Sequence, residues 1–412
     1  MNRLAKIGII ALSVVIFGYA GLGHVLGKTG DDKTYRSLTV YGEVLQKIRQ
    51  DYVDEPNMHM VTAGSLHGLL ESLDPQSSYL TPREYAEYKQ KLANPRTGET
   101  GMTLSKRFGY IVVVSVLPDG PAQRAGLHSA DILESLAGFT TRDMSVGQAL
   151  NLLTGAPGTG VKVSVIRRGR TDPQPADLVR EKLGAQKIVS QKIDPDILVL
   201  RMASLDHGRA EEIRDRLLLA EKQGTHKVVL DVRDCGRGDV TEAIAIARLF
   251  LTSGTITTLS GQTVSRQVFS AEPGRAAWKN PVSVLINSST SGAAEVLASA
   301  IAGNQRGEVV GERTFGLASE QKLIPLEDGA AIILTVANYY KADGKPILDE
   351  GVTPSEVVRA SAAEEDNGVG DEDSSGAASG NEAPAEPRPL SPEDPILRKA
   401  IELLKAPAKK AA

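Results

Sequence analysis

One feature constrains the fold of this chain more than any other: from about residue 190 onward, short apolar runs alternate with longer amphipathic segments. Short runs of β-branched residues are typical of buried strands, and apolar residues at every third or fourth position are typical of helices. Alternation of this kind predicts an α/β core with a largely parallel sheet, in which active sites lie at the carboxyl ends of strands. The predicted strands cover 197–200, 227–232, 282–286 and 332–336, and the predicted helices cover 211–219, 241–251 and 293–302.

Two further regions precede this core. Residues 34–92 show helical periodicity, and Thr81 is predicted to cap a third helix because a proline and an acidic first turn follow it. Residues 99–170 are predicted to form a compact β-rich module, with strands over 111–116 and 161–166. The fold class is therefore α/β, or α+β overall, with a β-rich domain inserted between a helical piece and the core.

Composition shifts along the chain divide it into six segments. The segment after the core is rich in Ala, Gly, Ser, Pro and acidic residues, which predicts disorder because little apolar surface is available for burial. The predicted segments are an anchor or signal with a spacer (1–33), a helical region (34–95), the β-rich domain (96–172), the α/β core (173–359), a disordered acidic linker (360–394) and a C-terminal helix with a basic tail (395–412).

The N-terminus contains an apolar run that is long enough to cross a bilayer. Residues 7–27 carry no charged side chain, and Arg3 and Lys6 precede them. This pattern predicts either an uncleaved single-pass anchor or a cleaved signal peptide. Both alternatives place the body of the protein outside the cytoplasm, in the cell envelope or periplasm, either membrane-anchored or secreted.

Composition excludes several classes of function. The single cysteine, Cys235, excludes an intrachain disulfide and a multi-cysteine metal site, and the six histidines form no paired metal-ligand motif. The net charge of −4 and the 4% aromatic content argue against a nucleic-acid partner. We therefore expect no cofactor, no metal and no nucleic acid.

Several segments resemble the C-terminal processing peptidases, or tail-specific proteases, in the family's own order. These peptidases are serine enzymes with a Ser-Lys dyad and an embedded PDZ domain. The similar segments are YVD at 52–54, GLLESLDPQSSYL at 68–80, PAQRAGL at 121–127 with DIL at 131–133, LDVRDCGRG at 230–238, NSSTSGAAE at 287–295, VVGERTFGLASEQ at 309–321, YY at 339–340 and GVTP at 351–354. The resemblance implies the fold of these peptidases over residues 35–357.

The same resemblance shows that the reactive residues are missing. The family's nucleophilic serine falls on Gly292, its general-base lysine on Leu317, and an aspartate often found in the helix on Gly303. Gln321 is retained. Because a Ser-Lys dyad needs both a hydroxyl nucleophile and a neutral amine, we expect hydrolysis to be absent or very weak.

The oxyanion loop of the family also departs from its pattern. Its proline corresponds to Gly236 and the first glycine of its pair to Arg237, whereas Gly238 is retained. Two interpretations of Arg237 are open: it fills the vacated cleft or contacts a peptide carboxylate, or it is a solvated loop charge.

The resemblance also implies a peptide-binding loop at the start of the PDZ-like module. In the family this loop reads GIGV, and here it consists of Gly101, Met102, Thr103 and Leu104. Backbone amides of such a loop bind a chain terminus, while the adjacent strand edge pairs with the peptide. Because β-augmentation depends on backbone more than on side chains, Thr103 restricts the loop but leaves its amides.

Three functional hypotheses follow. In the leading one, the protein is a non-catalytic family member that binds unfolded or extended polypeptide C-termini, and that self-associates or partners an active paralogue. In the second, it is an active serine endopeptidase with a displaced nucleophile, Ser291, and a displaced base, Lys322. Cys235 is a further candidate nucleophile, although a buried apolar role is favoured for it. In the third, it is a structural envelope protein that neither binds nor cleaves peptides.

Overall fold

A computed structural model describes residues 32–94, 97–167, 169–359 and 393–406. The described residues fall into two compact units that divide between Leu66 and His67. The predicted anchor at 7–27 and nearly all of the predicted acidic linker lie outside these ranges. Within them, no helix is both long enough and apolar enough to cross a membrane.

The N-terminal region contains three helices and one short strand. Thr81 caps the third helix as predicted: its hydroxyl accepts a hydrogen bond from Glu84 N, and its own N–H donates to the Glu84 carboxylate at 2.8 Å. This reciprocal pair satisfies two backbone donors that the first turn leaves unpaired. The elements are α1 (Asp32–Asp51), α2 (Met58–Glu71), β1 (Ser78–Leu80) and α3 (Pro82–Ala93).

A β-rich module follows, at residues 102–179. Its antiparallel sheet has the order β2-β3-β4-β6-β7, so β2 is an edge strand, and β5 pairs with β4. The module has its own core, which includes Leu104, Ile111 and Leu133. Its elements are β2 (Met102–Arg107), β3 (Tyr110–Val116), α4 (Pro121–Arg124), β4 (Ile132–Leu136), β5 (Phe139–Thr140), α5 (Val146–Leu153), β6 (Gly160–Ile166) and β7 (Gln174–Val179).

The α/β core confirms the predicted fold class. Its six-stranded sheet has the order β19-β16-β15-β11-β9-β8, and every pair is parallel except β8 with β9. A short parallel pair, β10 with β12, lies beside it. The elements are β8 (Val189–Asp194), β9 (Ile197–Arg201), β10 (Ser204–Leu205), α6 (Arg209–Lys222), β11 (Lys227–Asp231), β12 (Arg237–Gly238), α7 (Val240–Phe250), β15 (Val282–Ile286), α8 (Ala293–Gly303), β16 (Glu308–Gly311) and β19 (Glu356–Val357).

A second sheet of this part of the chain is antiparallel. The strand predicted at 332–336 belongs to it rather than to the parallel sheet, because β18 pairs with β1, β13 and β17. Periodicity identifies a strand but not its partners, which explains why the sequence pattern did not separate the two sheets. The elements are β13 (Thr255–Ser260), β14 (Gln267–Ser270), β17 (Ser319–Pro325) and β18 (Ala331–Tyr340).

The C-terminal helix α9 (Pro395–Lys405) packs against the parallel sheet. Three of its residues, Ile396, Leu397 and Ala400, are buried in one apolar cluster with side chains of four sheet strands. Helices α6, α7 and α8 contribute to the separate main core cluster, so the sheet carries helices on both faces. The sheet residues beneath α9 are Ile197, Val199, Val229, Leu285 and Val310.

Candidate functional site

The turn between β15 and α8 has an unusual backbone conformation at its last residue, Gly292. Gly292 forms the N-cap of α8 with φ of 63° and ψ of −122°, a conformation that L-residues rarely adopt. A Cβ placed at this position would meet no heavy atom within 4 Å. The turn therefore leaves open space at the position where the family pattern has its nucleophile.

A single buried carboxylate organises the surroundings of this turn. Glu295 is fully buried in the first turn of α8, and its two oxygens accept five hydrogen bonds. Burial raises the pKa of Glu295 above its ordinary value, and four of the donors, those of Gly292, Thr314, Gly316 and Leu317, oppose that shift. The donors are Gly292 N at 2.8 Å, Thr314 Oγ1 at 2.5 Å, Gly316 N at 2.6 Å, Leu317 N at 2.8 Å and Ala318 N at 3.2 Å.

This carboxylate brings the two degenerate positions together. The backbone nitrogens of Gly292 and Leu317 both lie 2.8 Å from Oε2 of Glu295, so the two nitrogens are separated by no more than twice that distance. Glycine and leucine supply neither a nucleophile nor a base at these two positions. Gln321, the retained residue, is exposed on β17, and its Nε2 donates to Ser319 Oγ at 2.7 Å.

The two fallback residues differ sharply in exposure. Ser291 is 1% exposed, and among the described residues its Oγ has no hydrogen-bond partner. Lys322 is exposed on β17, one position after Gln321. The structure therefore shows no hydrogen bond between Ser291 and Lys322 in the part of the chain that it describes.

Cys235 lies deep beneath the same site. Its side chain is fully buried, and burial raises the pKa of the thiol to about 12. A thiol with this pKa carries almost no nucleophilic thiolate at neutral pH. The buried apolar role favoured for Cys235 agrees with this environment.

The loop that follows β11 is held tightly against the Gly292 turn. Asn287 donates from Nδ2 to Asp234 Oδ1 at 2.8 Å, and its Oδ1 accepts from Asp234 N at 3.0 Å. Thr290 Oγ1 donates to the carbonyl of Val232 at 2.9 Å. These contacts fix the 232–238 loop relative to position 292.

The β-rich module packs onto this loop without leaving room for another side chain. Thr103 Oγ1 donates to the carbonyl of Gly236 at 3.1 Å. A Cβ at position 236 would lie 2.1 Å from Ser115 Oγ and 2.9 Å from Ser291 Oγ, so glycine is required for this approach. Two departures from the family pattern, Thr103 and Gly236, therefore contact each other.

The predicted peptide-binding residues lie at the start of strand β2. Gly101 precedes the strand with φ of 79°, whereas Met102, Thr103 and Leu104 form its first residues, with an irregularity in the register after Thr103. The prediction of a loop over all four residues is therefore wrong for the last three, because they pair with β3. Gly101, Met102 and Thr103 line a cavity of about 290 Å³.

Arg237 and Gly238 form the opposite wall of this cavity. Arg237 Nη1 donates to Glu99 Oε2 at 2.8 Å, and its Nε lies 3.8 Å from Asp206 Oδ1. The guanidinium is therefore paired with carboxylates, while Arg237 and Glu99 remain 40% and 48% exposed.

A buried ion pair stabilises the base of the loop. Arg233 contacts both oxygens of the fully buried Asp231, at 2.9 and 2.8 Å, and its Nη2 also lies 2.6 Å from Asp394 Oδ2 at the start of α9. Burial disfavours the charged carboxylate, but Arg233 and the more distant Arg201 outweigh that effect, so the pKa of Asp231 lies below its ordinary value.

Sequence reasoning missed several residues of the site. Glu295 served only to fix the motif spacing, although a glutamate at the third position of a helix is a capping signal. Glu99 and Ser115 carry no local signal at all. Arg107, whose guanidinium lies 4.0 Å from the centre of the Phe315 ring, is likewise visible only in three dimensions. Within the described ranges, no group of three His, Cys, Asp or Glu side chains is placed to hold a metal ion.

Comparisons with known proteins agree with this architecture. Residues 196–358 match the model of peptidase family S41. The chain is 29% identical over 333 residues to a carboxy-terminal-processing protease of Bartonella bacilliformis, covering 80% of this chain and 76% of that one. It is also 29% identical over 347 residues to the carboxy-terminal processing protease CtpA of Bacillus subtilis, covering 84% and 73% of the two chains.

A solved structure extends the similarity to the fold. The photosystem II D1 C-terminal processing protease superposes with a TM-score of 0.65 at 23% identity, covering 78% of this chain and 92% of that one. The core sheet and its site loops thus define an S41-type peptidase fold. Within that class, the relatives that the chain matches are C-terminal processing proteases, and they support this family for the chain.

Proposed function

We propose that this protein is a non-catalytic member of the family that binds the C-termini of unfolded or extended polypeptides. One observation carries the proposal: the two positions that Glu295 brings together, 292 and 317, hold glycine and leucine. Neither side chain can attack a peptide carbonyl or accept a proton. Loss of both groups removes the chemical step while leaving the surrounding backbone intact.

The alternative nucleophiles fit peptide hydrolysis poorly. Attack by Ser291 would require its buried Oγ to reach both a substrate carbonyl and an amine, yet Oγ has no hydrogen-bond partner among the described residues. Lys322 is solvent-exposed on β17, and no hydrogen bond joins it to Ser291 among the described residues. Cys235 is buried with a raised pKa.

The β-rich module supports the binding half of the proposal. Its resemblance to a PDZ domain, the edge position of β2 and the cavity at the start of that strand are the features that β-augmentation requires. We place the chain terminus at Gly101, Met102, Thr103 and Leu104. The names of the relatives, which are C-terminal processing proteases, fit a polypeptide ligand of this kind.

We further propose that the protein acts in the cell envelope. The support is the uncharged run at 7–27 with two preceding basic residues, a pattern of an exported or anchored chain. Alkaline phosphatase fused after residue 412 would be active in the periplasm if this is correct. An inactive fusion that is present at normal levels would contradict it.

The test of the proposal is a cleavage assay with the full chain. An unfolded reporter that ends in small apolar residues is incubated with the protein, and its intact mass is followed over time beside the Ser291→Ala variant. We expect no cleavage by either protein, in preparations that still bind the reporter. Cleavage that disappears in Ser291→Ala would overturn the proposal and establish a displaced nucleophile.

A reconstructed variant supplies the matched control. Gly292→Ser together with Leu317→Lys restores both reactive groups. Position 292 has space for the new side chain, although its positive φ costs a serine some backbone strain. We expect slow cleavage of the reporter by this double variant, and none by either single variant. This result would show that the assay detects hydrolysis on this scaffold.

A further inference from the structure

The cavity between β2 and the 232–238 loop contains a cation that the family pattern lacks. Arg237 occupies a position where the family has glycine, and its guanidinium lines the 290 Å³ cavity together with Gly101 and Met102. The loop that would stabilise an oxyanion in a catalytic relative therefore carries an arginine here, in a cavity that Glu99 and Asp234 also line. A charge at this position suits a ligand that is already anionic before any reaction.

The position of β2 determines which part of a bound peptide would reach Arg237. β2 is the edge strand of its sheet, and its first residues line the cavity. A peptide that pairs antiparallel with β2 would end beside Met102, because antiparallel partners run in opposite directions. Its terminal carboxylate would then enter the cavity that contains Arg237.

The present partners of Arg237 are replaceable. Glu99 and Arg237 are both substantially exposed, and exposed ion pairs contribute little to stability. The second carboxylate, Asp206, lies 3.8 Å from Arg237 Nε, beyond hydrogen-bond distance. A ligand carboxylate can therefore engage the guanidinium fork in place of Glu99 without loss of a buried interaction.

We infer that Arg237 is the residue that recognises the free α-carboxylate of a bound polypeptide, and that Glu99 occupies its place when no ligand is bound. This inference rests on the proposed peptide-binding function and assigns its specificity to a core loop rather than to the β-rich module alone. Arg237 and Glu99 then have opposite effects on affinity: the first attracts the terminus and the second competes with it.

The test compares one peptide in two chemical forms. A fluorescein-labelled decapeptide ending in Ala-Ala, as free acid or as amide, is titrated with the full chain and followed by anisotropy. We expect the free acid to bind about tenfold tighter than the amide, because only the free acid forms a charged hydrogen-bonded pair with Arg237. Arg237→Gln should abolish this difference, and Glu99→Gln should tighten free-acid binding roughly threefold, since it removes the competitor.

Whether Glu99→Gln raises or lowers peptide affinity distinguishes this inference from a purely structural role of the Arg237–Glu99 pair. If the Arg237–Glu99 pair only fastens the module to the loop, both substitutions shift affinity in the same direction, and the inference is wrong. Arg275→Gln is the matched control, because Arg275 is an exposed arginine that pairs with Glu272, and neither of these residues lines the cavity. It should leave the affinity for both peptides unchanged.

The two proposals fail in distinguishable ways. If the parent protein binds neither form of the peptide, the proposed binding function is contradicted. If it binds both forms equally, and Arg237→Gln does the same, peptide binding stands and only the role of Arg237 is overturned.

Discussion

Two fully buried carboxylates flank the site, and they are stabilised in different ways. Asp231, at the end of β11, is neutralised by the guanidinium of Arg233. Glu295, in the first turn of α8, is surrounded only by neutral N–H and O–H donors. As a result the pKa of Asp231 lies below its ordinary value, whereas the pKa of Glu295 lies above it.

The difference shows that two separate sets of contacts, one charged and one neutral, hold the backbone of the site in place. The ion pair of Asp231 anchors the loop to the C-terminal helix through Arg233 and Asp394. The hydrogen bonds of Glu295 hold positions 292 and 317 together without any net countercharge. Neither set of contacts uses the side chain at position 292 or 317, so both sets are independent of which side chains these two positions carry.

The largest effect is expected from Arg233→Ala. This change leaves Asp231 buried without its main counter-ion, which should lower the free energy of unfolding by about 3–5 kcal/mol. Urea denaturation measures the change. Arg201→Gln is the control, because Arg201 lies 3.9 Å from the same carboxylate and should cost far less. Equal effects of the two substitutions would contradict this account.

Glu295→Gln is expected to cost about 2 kcal/mol, because the new amide group turns its own N–H donors toward the donors of the 314–318 segment. The same denaturation experiment measures it, with the exposed Glu221→Gln on α6 as control. A stability equal to that of the parent would mean that the carboxylate is not needed to hold the two loops.

The free energy of unfolding should change with pH in opposite directions through the two carboxylates. The pKa of Asp231 is lower in the folded state than in the unfolded state. Its contribution to folding stability is therefore fully present above the unfolded-state pKa, and it is lost as pH falls through the folded-state pKa. Since the pKa of Glu295 is raised, protonation at falling pH favours the folded state. Each group contributes a slope of at most about 1.4 kcal/mol per pH unit.

Denaturation series on variants measure these slopes. With falling pH, the stability advantage of the parent over Asp231→Asn should shrink, and its advantage over Glu295→Gln should grow. Parallel trends for the two variants would show that cations and neutral donors compensate the carboxylates in the same way.

The smallest effect is expected from Asp394→Ala. Asp394 caps α9 by accepting from Ile396 N and Leu397 N, and loss of such a cap costs about 1 kcal/mol. The substitution also removes the contact with Arg233, but Arg233 keeps Asp231 as its partner, so we expect this second loss to add little. Hydrogen exchange should show faster exchange in α9 with little change in α8. A matching acceleration in α8 would mean that the two ends of the site are coupled more tightly than the contacts indicate.

The sequence predicted those features that are encoded locally. The cap at Thr81 depends on residues within one helical turn, and the structure confirms it. The expected loss of the reactive groups at Gly292 and Leu317 depends on ungapped motifs and stays a prediction. Both could therefore be inferred without knowledge of the tertiary fold.

Features that depend on distant residues could not be predicted. Asp394 meets Arg233 only because α9 returns to the sheet, far along the chain from β11. Thr103 meets Gly236 only because the β-rich module packs on the loop. The strand at 332–336 was found, but its antiparallel partners were not, since hydrophobic periodicity carries no pairing information.

The docking of α9 has a practical consequence for dissecting this protein. The family match ends at residue 358, yet the apolar sheet residues Ile197, Val229 and Leu285 are covered by a helix that begins only at Pro395. A fragment that stops at the family boundary would expose that face to solvent, and exposed apolar patches promote aggregation. Truncations should therefore retain the C-terminal helix.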